Sequence, residues 1–213
     1  MPEPLVLYAD AELVSPYAMS AFVALHEKNL AFTLRTLDLE AGAQRRPDYR
    51  EHALTARVPC LVHDDFWLAE SSAIEEYLDE SFPAPGHAAL YPKGIRDRAA
   101  ARQVQAWLRS DFMPLRQERS THTIFVAPTA KPLSGTARKA ADKLFHAADR
   151  LLGAESPNLF GEWSIADTDL AIMLQRLVAN DDGVPDKLAR YAKRQWQRPS
   201  VQRWVQLERP AAR

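Results

Sequence analysis

Pro83-Ala84-Pro85-Gly86 divides the chain into two stretches with different hydrophobic periods. Two prolines and a glycine in four residues stop a helix, because proline lacks the amide donor and its ring clashes with the preceding turn. Before this break, short apolar runs alternate with helical patterns. Leu5–Tyr8 reads as a buried strand. Pro16–Lys28 reads as a helix carrying Met19, Phe22, Val23 and Leu25 at helical spacing, with Ser15 as its N-cap and Pro16 at the favoured first position. Phe32–Leu39 is a second strand, and residues 42–56 are polar and irregular. Residues 59–63 and 66–69 flank His63-Asp64-Asp65 as a hairpin. Ser71–Phe82 closes the unit as a helix, with Ser72 and Glu75 spaced as a capping box. After the break the period is helical throughout, over 95–112, 134–152, 165–180, 184–194 and 199–208, with Pro114 bending or ending the first of these. The pattern predicts an α/β domain over residues 1–84, a linker over 85–93 and an all-α domain over 94–213.

Composition removes several classes of function. The seven glycines, at positions 42, 86, 94, 135, 153, 161 and 183, stand too far apart to form GxGxxG or GxxxxGK[ST], so nucleotide sites built on glycine loops are excluded. The longest apolar runs are about five residues, as in Ala21–Leu25, against roughly 20 needed to span a bilayer. Met1-Pro2-Glu3-Pro4 shows no basic region followed by an apolar stretch, so no secretory leader is expected. The single cysteine, Cys60, cannot make an internal disulfide, and the six histidines show no metal-ligand spacing. A cytoplasmic protein without metal is expected. The net charge of −1 hides an asymmetry: residues 1–90 hold 6 basic and 15 acidic side chains, residues 91–213 hold 21 and 13. The basic residues are scattered rather than interleaved with aromatics, so nucleic acid is not an expected partner.

Three short motifs stand at element boundaries. Val58-Pro59 opens a strand just before the hairpin. If its bond is cis, the Val58 backbone turns outward and can pair with an extended ligand; if trans, Pro59 simply marks a strand start. Glu70-Ser71 stands at a strand-to-helix junction, where a carboxylate suits a cation and a helix N-terminus suits an anion. Ser164-Ile165-Ala166-Asp167 is a capping box before an apolar helix, a structural feature rather than a chemical one.

The motifs Ser15-Pro16-Tyr17, Val58-Pro59, Glu70-Ser71-Ser72-Ala73-Ile74 and Gly161-Glu162-Trp163-Ser164-Ile165-Ala166-Asp167, in this order, resemble the cytosolic glutathione S-transferases, bacterial members in particular. The resemblance covers nearly the whole chain. It implies a thioredoxin-like glutathione-binding domain followed by an all-α helical bundle that supplies the second-substrate pocket. It further implies a homodimer active in detoxification and oxidative stress. Glutathione, as co-substrate, would lie extended along Val58 and Pro59. Its γ-glutamyl ammonium would meet Glu70 and its carboxylate Ser71, with the glycyl carboxylate taken by Gln44, Arg45 or Arg57.

Ser15 would then hold the sulfur. A thiol of pKa about 8.5 is only about 3% ionised at pH 7, and lowering that pKa by ~2 units makes it mostly thiolate. Ser15 can also be no more than a helix cap, and the two roles are compatible. Tyr8, near the end of the first strand, is the competing activator, and Tyr17 would wall the pocket. Ser15-Pro16-Tyr17-Ala18 lacks both cysteines of the glutaredoxin-like motif, which removes dithiol exchange. It also lacks the cysteine and arginine of maleylacetoacetate isomerases, which disfavours isomerisation. Cys60 reads as a small buried hydrophobe. The implied reaction is attack of the glutathione thiolate on a small hydrophobic electrophile. Two alternatives stand beside it: glutathione-dependent reduction of organic hydroperoxides, and a non-catalytic binding protein on the same fold.

Overall fold

The computed structural model describes residues 5–153 and 156–210; the first four residues, read above for a leader, lie outside them. The described residues fall into two compact units, residues 5–90 with 203–210, and residues 91–202.

In the first unit, β1 (Leu5–Asp10), α1 (Pro16–Glu27) and β2 (Phe32–Leu37) form a parallel crossover. A 3-10 turn (Ala43–Arg45) and the single-turn α2 (Pro47–Arg50) occupy the stretch expected to be irregular. There follow β3 (Cys60–His63), β4 (Phe66–Ala69) and α3 (Ser71–Ser81). The sheet order is β2-β1-β3-β4, with β3 antiparallel to both of its neighbours. The hairpin turns on Asp64, whose φ of 55° is a conformation aspartate tolerates. Leu7 and Ala9 of β1 are fully buried, as are Leu25 of α1 and Ile74 and Leu78 of α3, and the two helices pack on each other. Tyr49, Ala53 and Cys60 form a separate buried cluster with Tyr8, Leu37 and Trp67 packed against it.

One expectation for this unit is revised. Ser72 and Glu75 do not cap α3. Glu70 is the N-cap residue, at φ 72°, and its carbonyl accepts from Ile74 N–H at 3.0 Å. Glu75 is fully buried and accepts from the Ser20 hydroxyl at 2.7 Å, tying α3 to α1 instead. Lys28, at the C-terminus of α1, is also buried: its ammonium meets Asp79 and donates to the carbonyls of Phe82 and Ala88, each at 2.9 Å.

The second unit contains α4 (Ile95–Ser110), α5 (Met113–Glu118), α6 (His122–Phe125), α7 (Gly135–Leu151), α8 (Ile165–Val178) and α9 (Asp186–Trp196). The first helix ends at Ser110 rather than 112, because Phe112 takes a left-handed φ of 63° and its N–H is held by the Asp111 carboxylate at 2.9 Å. Pro114 then sits in the first turn of α5, where its missing N–H costs nothing. Nearly every side chain of α8 is buried, which makes it the unit's axis. Arg119 clamps Asp182 through two bonds of 2.6 and 2.7 Å.

The last helix, α10 (Pro199–Val205), spans the division between units. Residues 203–210, at the end of the helical stretch, pack with the first unit. The reason is visible at Trp204, which is fully buried with its ring 5.2 Å from Phe22 of α1.

Candidate functional site

The strand register brings the sequence motifs of the first unit to one end of the sheet. Tyr8 of β1 is opposite Cys60 of β3, and Cys60 is opposite Ala69 of β4. Beyond that row of three, β1 runs out toward Ser15, β3 is entered from Val58-Pro59, and β4 leaves into Glu70-Ser71. Residues far apart in sequence therefore share one end of the sheet through backbone pairing alone.

Ser15 is half-buried and caps α1: its Oγ accepts from Ala18 N–H at 3.2 Å, and its carbonyl accepts from Met19 N–H at 3.0 Å. Ala18 N–H is therefore already satisfied. A hydroxyl has one hydrogen and two lone pairs, so a cap that uses one lone pair leaves the hydrogen to donate. The position of the turn rests on Asp10, which sequence reasoning missed. The Asp10 carboxylate is buried and accepts from Val14 N–H at 2.8 Å and from Ser15 N–H at 3.0 Å. The available signal was an aspartate ending a strand ahead of a turn, where such side chains capture nearby N–H groups.

The Val58-Pro59 peptide is cis. Val58 is half-buried and lies outside the β3–β4 ladder, which begins at the Cys60–Ala69 pair. Glu70 is exposed and Ser71 is buried, the latter as the first residue of α3. Positive φ is uncommon outside glycine and costs on the order of 1–3 kcal/mol. Glu70 takes such a conformation, at φ 72°.

The competing residues are accounted for. Tyr8 stacks on Trp67 at 5.4 Å and meets Tyr49 edge-on at 5.3 Å, and its hydroxyl accepts from Arg35 at 3.4 Å. Cys60 is fully buried, and burial pushes its thiol up to about 11, so it is no nucleophile near neutral pH. Burial likewise raises the Tyr49 phenol, whose hydroxyl donates to the Arg57 carbonyl at 2.7 Å. Of the donors considered for the glycyl carboxylate, Gln44 is half-buried and donates to Leu39 O at 3.4 Å, while Arg45 and Arg57 are exposed. Tyr17 is half-buried in the first turn of α1. No cluster of three or more metal-ligating side chains occurs among the described residues, and no helix there is long and apolar enough to cross a membrane.

In the second unit the expected capping box is present. Asp167 accepts from Ser164 N–H at 2.9 Å and from the Ser164 hydroxyl at 3.0 Å. Trp163 lies under the Arg198 guanidinium, 4.1 Å from its ring centre.

A thioredoxin-like sheet with a serine-capped first helix, followed by an all-α unit, makes up the two-domain architecture that the resemblance implies. Comparison with known families agrees. The model of the glutathione S-transferase C-terminal domain matches residues 94–209, and that of the N-terminal domain matches residues 14–81. The chain belongs to the glutathione S-transferase family.

It is similar to a glutathione transferase homolog from Burkholderia gl BGR1, solved with bound glutathione. The identity is 51% and the TM-score 0.78, with 95% of this chain and 96% of that one covered. It is 34% identical over 103 residues to glutathione S-transferase theta-3 of Mus musculus, covering 48% of this chain. That alignment spans only 41% of the mouse protein. It is 29% identical over 162 residues to maleylacetoacetate isomerase of Dictyostelium discoideum, covering 74% of this chain and 72% of that protein.

Proposed function

We propose that this chain is a glutathione transferase that activates the glutathione thiolate for attack on small hydrophobic electrophiles. One observation carries the reading: the register row Tyr8–Cys60–Ala69 delivers Ser15, Val58-Pro59 and Glu70-Ser71 to the same end of the sheet. A tripeptide laid along Val58 pairs its backbone there. Its ammonium is balanced by Glu70 and its γ-glutamyl carboxylate by the start of α3. Its sulfur reaches Ser15, whose hydrogen donates more strongly to a thiolate than to a thiol. The sulfur lone pair then forms a bond to an electrophilic carbon as the leaving group departs, and the thiol proton is lost to solvent. Such a protein would work as a cytoplasmic homodimer, with the electrophile taken by the helical domain.

Isomerisation is disfavoured despite the likeness to an isomerase, because Ser15-Pro16-Tyr17-Ala18 carries neither the cysteine nor the arginine of that motif. The test is an ultraviolet titration of bound glutathione in the wild type, Ser15→Ala and Tyr8→Phe. A thiolate band near neutral pH that is lost in Ser15→Ala but kept in Tyr8→Phe, with binding retained, supports Ser15 as activator. A band kept in Ser15→Ala moves the role elsewhere, and absence of binding in every form leaves a non-catalytic protein. Product analysis separates conjugation, seen as a thioether, from hydroperoxide reduction, seen as oxidised glutathione.

A further inference from the structure

The turn between β1 and α1 contains no glycine, yet Leu13 takes a left-handed φ of 53°. Such a conformation is uncommon for a side chain of this kind and has to be held by its surroundings. Asp10 holds it from below: besides the bonds to Val14 and Ser15 N–H, its own carbonyl accepts from Leu13 N–H at 3.1 Å. Arg209 holds it from the other end of the chain. One terminal nitrogen of the guanidinium donates to Leu13 O at 3.2 Å and to Trp204 O at 3.1 Å. The other donates to Val205 O at 2.8 Å and to Leu207 O at 3.1 Å. The same guanidinium therefore closes off the end of α10 and grips the strained residue of the Ser15 turn. Trp204 docks this segment on α1, the helix that Ser15 caps. Arg209 also faces the Asp10 carboxylate electrostatically. Burial lowers the pKa of the guanidinium, and the charge of Asp10 opposes that lowering.

We infer that Asp10 and Arg209 are positioning residues for Ser15, so that the C-terminal segment sets the geometry of the hydroxyl that holds the glutathione sulfur. The inference rests on the reading of Ser15 as the sulfur's donor. Its physical basis is that a hydrogen bond weakens steeply with angle, so a donor on a loosened turn stabilises a thiolate less than one fixed in place. Asp10 orients the Ser15 backbone through one N–H. Arg209 keeps Leu13 in the conformation that lets Asp10 reach it, and supplies the positive charge that a buried carboxylate requires.

The experiment is the same thiolate titration with steady-state kinetics on the full chain, comparing Arg209→Gln, Asp10→Asn and Asp10→Ala with Ser15→Ala. Arg209→Gln is expected to raise the pKa of the bound thiol by about one unit, which from a bound value ~2 units below that of a free thiol is a roughly threefold loss of thiolate at pH 7. kcat should fall by a similar factor, with the KM for glutathione unchanged. Asp10→Asn, which keeps a carbonyl acceptor, should lose less than Asp10→Ala. Arg209 is only half-buried, so its variant tests the idea even where Asp10→Ala fails to fold. If Ser15→Ala abolishes the thiolate band while Arg209→Gln and Asp10→Asn keep the wild-type thiol pKa, the positioning role is overturned and Ser15 stands. A loss of stability or glutathione affinity in Arg209→Gln without a pKa shift overturns it equally. A band unchanged in Ser15→Ala overturns the Ser15 reading, and this inference with it.

Discussion

Replacing Asp167 by alanine removes one acceptor that four donors share. Leu159 N–H and the Tyr191 hydroxyl reach Oδ1 at 2.8 and 2.9 Å, and Ser164 N–H and its hydroxyl reach Oδ2 at 2.9 and 3.0 Å. The side chain is fully buried, so water cannot replace it. A buried donor left without a partner costs about 1–3 kcal/mol. The Ser164 hydroxyl can rotate to another acceptor and the Tyr191 hydroxyl keeps the Asp167 carbonyl at 3.4 Å, which leaves two backbone donors stranded, and their costs are not additive. A loss of about 3–5 kcal/mol is expected, a large share of the roughly 5–15 kcal/mol that holds a typical fold. At about 2–4 °C per kcal/mol for a chain of this size, Tm should fall by roughly 6–20 °C.

Asp167→Asn keeps one carbonyl acceptor and should lose about half as much. Burial holds the Asp167 carboxyl above its ordinary value, and the donated hydrogen bonds act against that rise. Between the ordinary and the raised value the folded state binds the extra proton, so this group's contribution to stability falls as pH rises through that window. Thermal unfolding followed by circular dichroism measures the loss. A Tm drop below about 3 °C for Asp167→Ala would refute the argument that the N-terminus of α8 is held by this carboxylate.

Two further outcomes follow from other buried groups. Cys60, with its thiol at about 11, should resist alkylation in the native protein between pH 7 and 9 and react at once in denaturant. Rapid native labelling would show that the sheet opens around it. His26 lies 4.4 Å from Phe22 and 5.1 Å from Phe32, ring to ring, and burial together with the charge of Arg203 depresses its pKa. Below pH 6.5 the unfolded chain takes up a proton that the folded one resists, so stability should fall as pH drops from there. His26→Phe should flatten that acid slope in denaturant titrations at stepped pH; an unchanged slope would assign it to other groups.

Much of this protein is legible in local sequence, for a definite reason. Periodicity, caps and breakers act over a few residues, so β1, α1, the hairpin on Asp64, the long helices and the Ser164–Asp167 box could be read from spacing alone. Ser15, Val58-Pro59 and Glu70-Ser71 sit at element boundaries that spacing also marks, but their chemistry was legible only through the family resemblance. What local pattern cannot supply is a partner remote in sequence. Glu75 fits a capping box by spacing, yet a hydroxyl on α1 captures it. Glu70 and Leu13 adopt positive φ without a glycine to announce it. Arg209 reaches back 196 residues to the carbonyl of Leu13, and only packing of Trp204 on Phe22 places it there. The sequence by itself determined the strands, the long helices and their order. Tertiary structure decided which charged side chains meet, because that depends on the burial and register of segments that no short window contains.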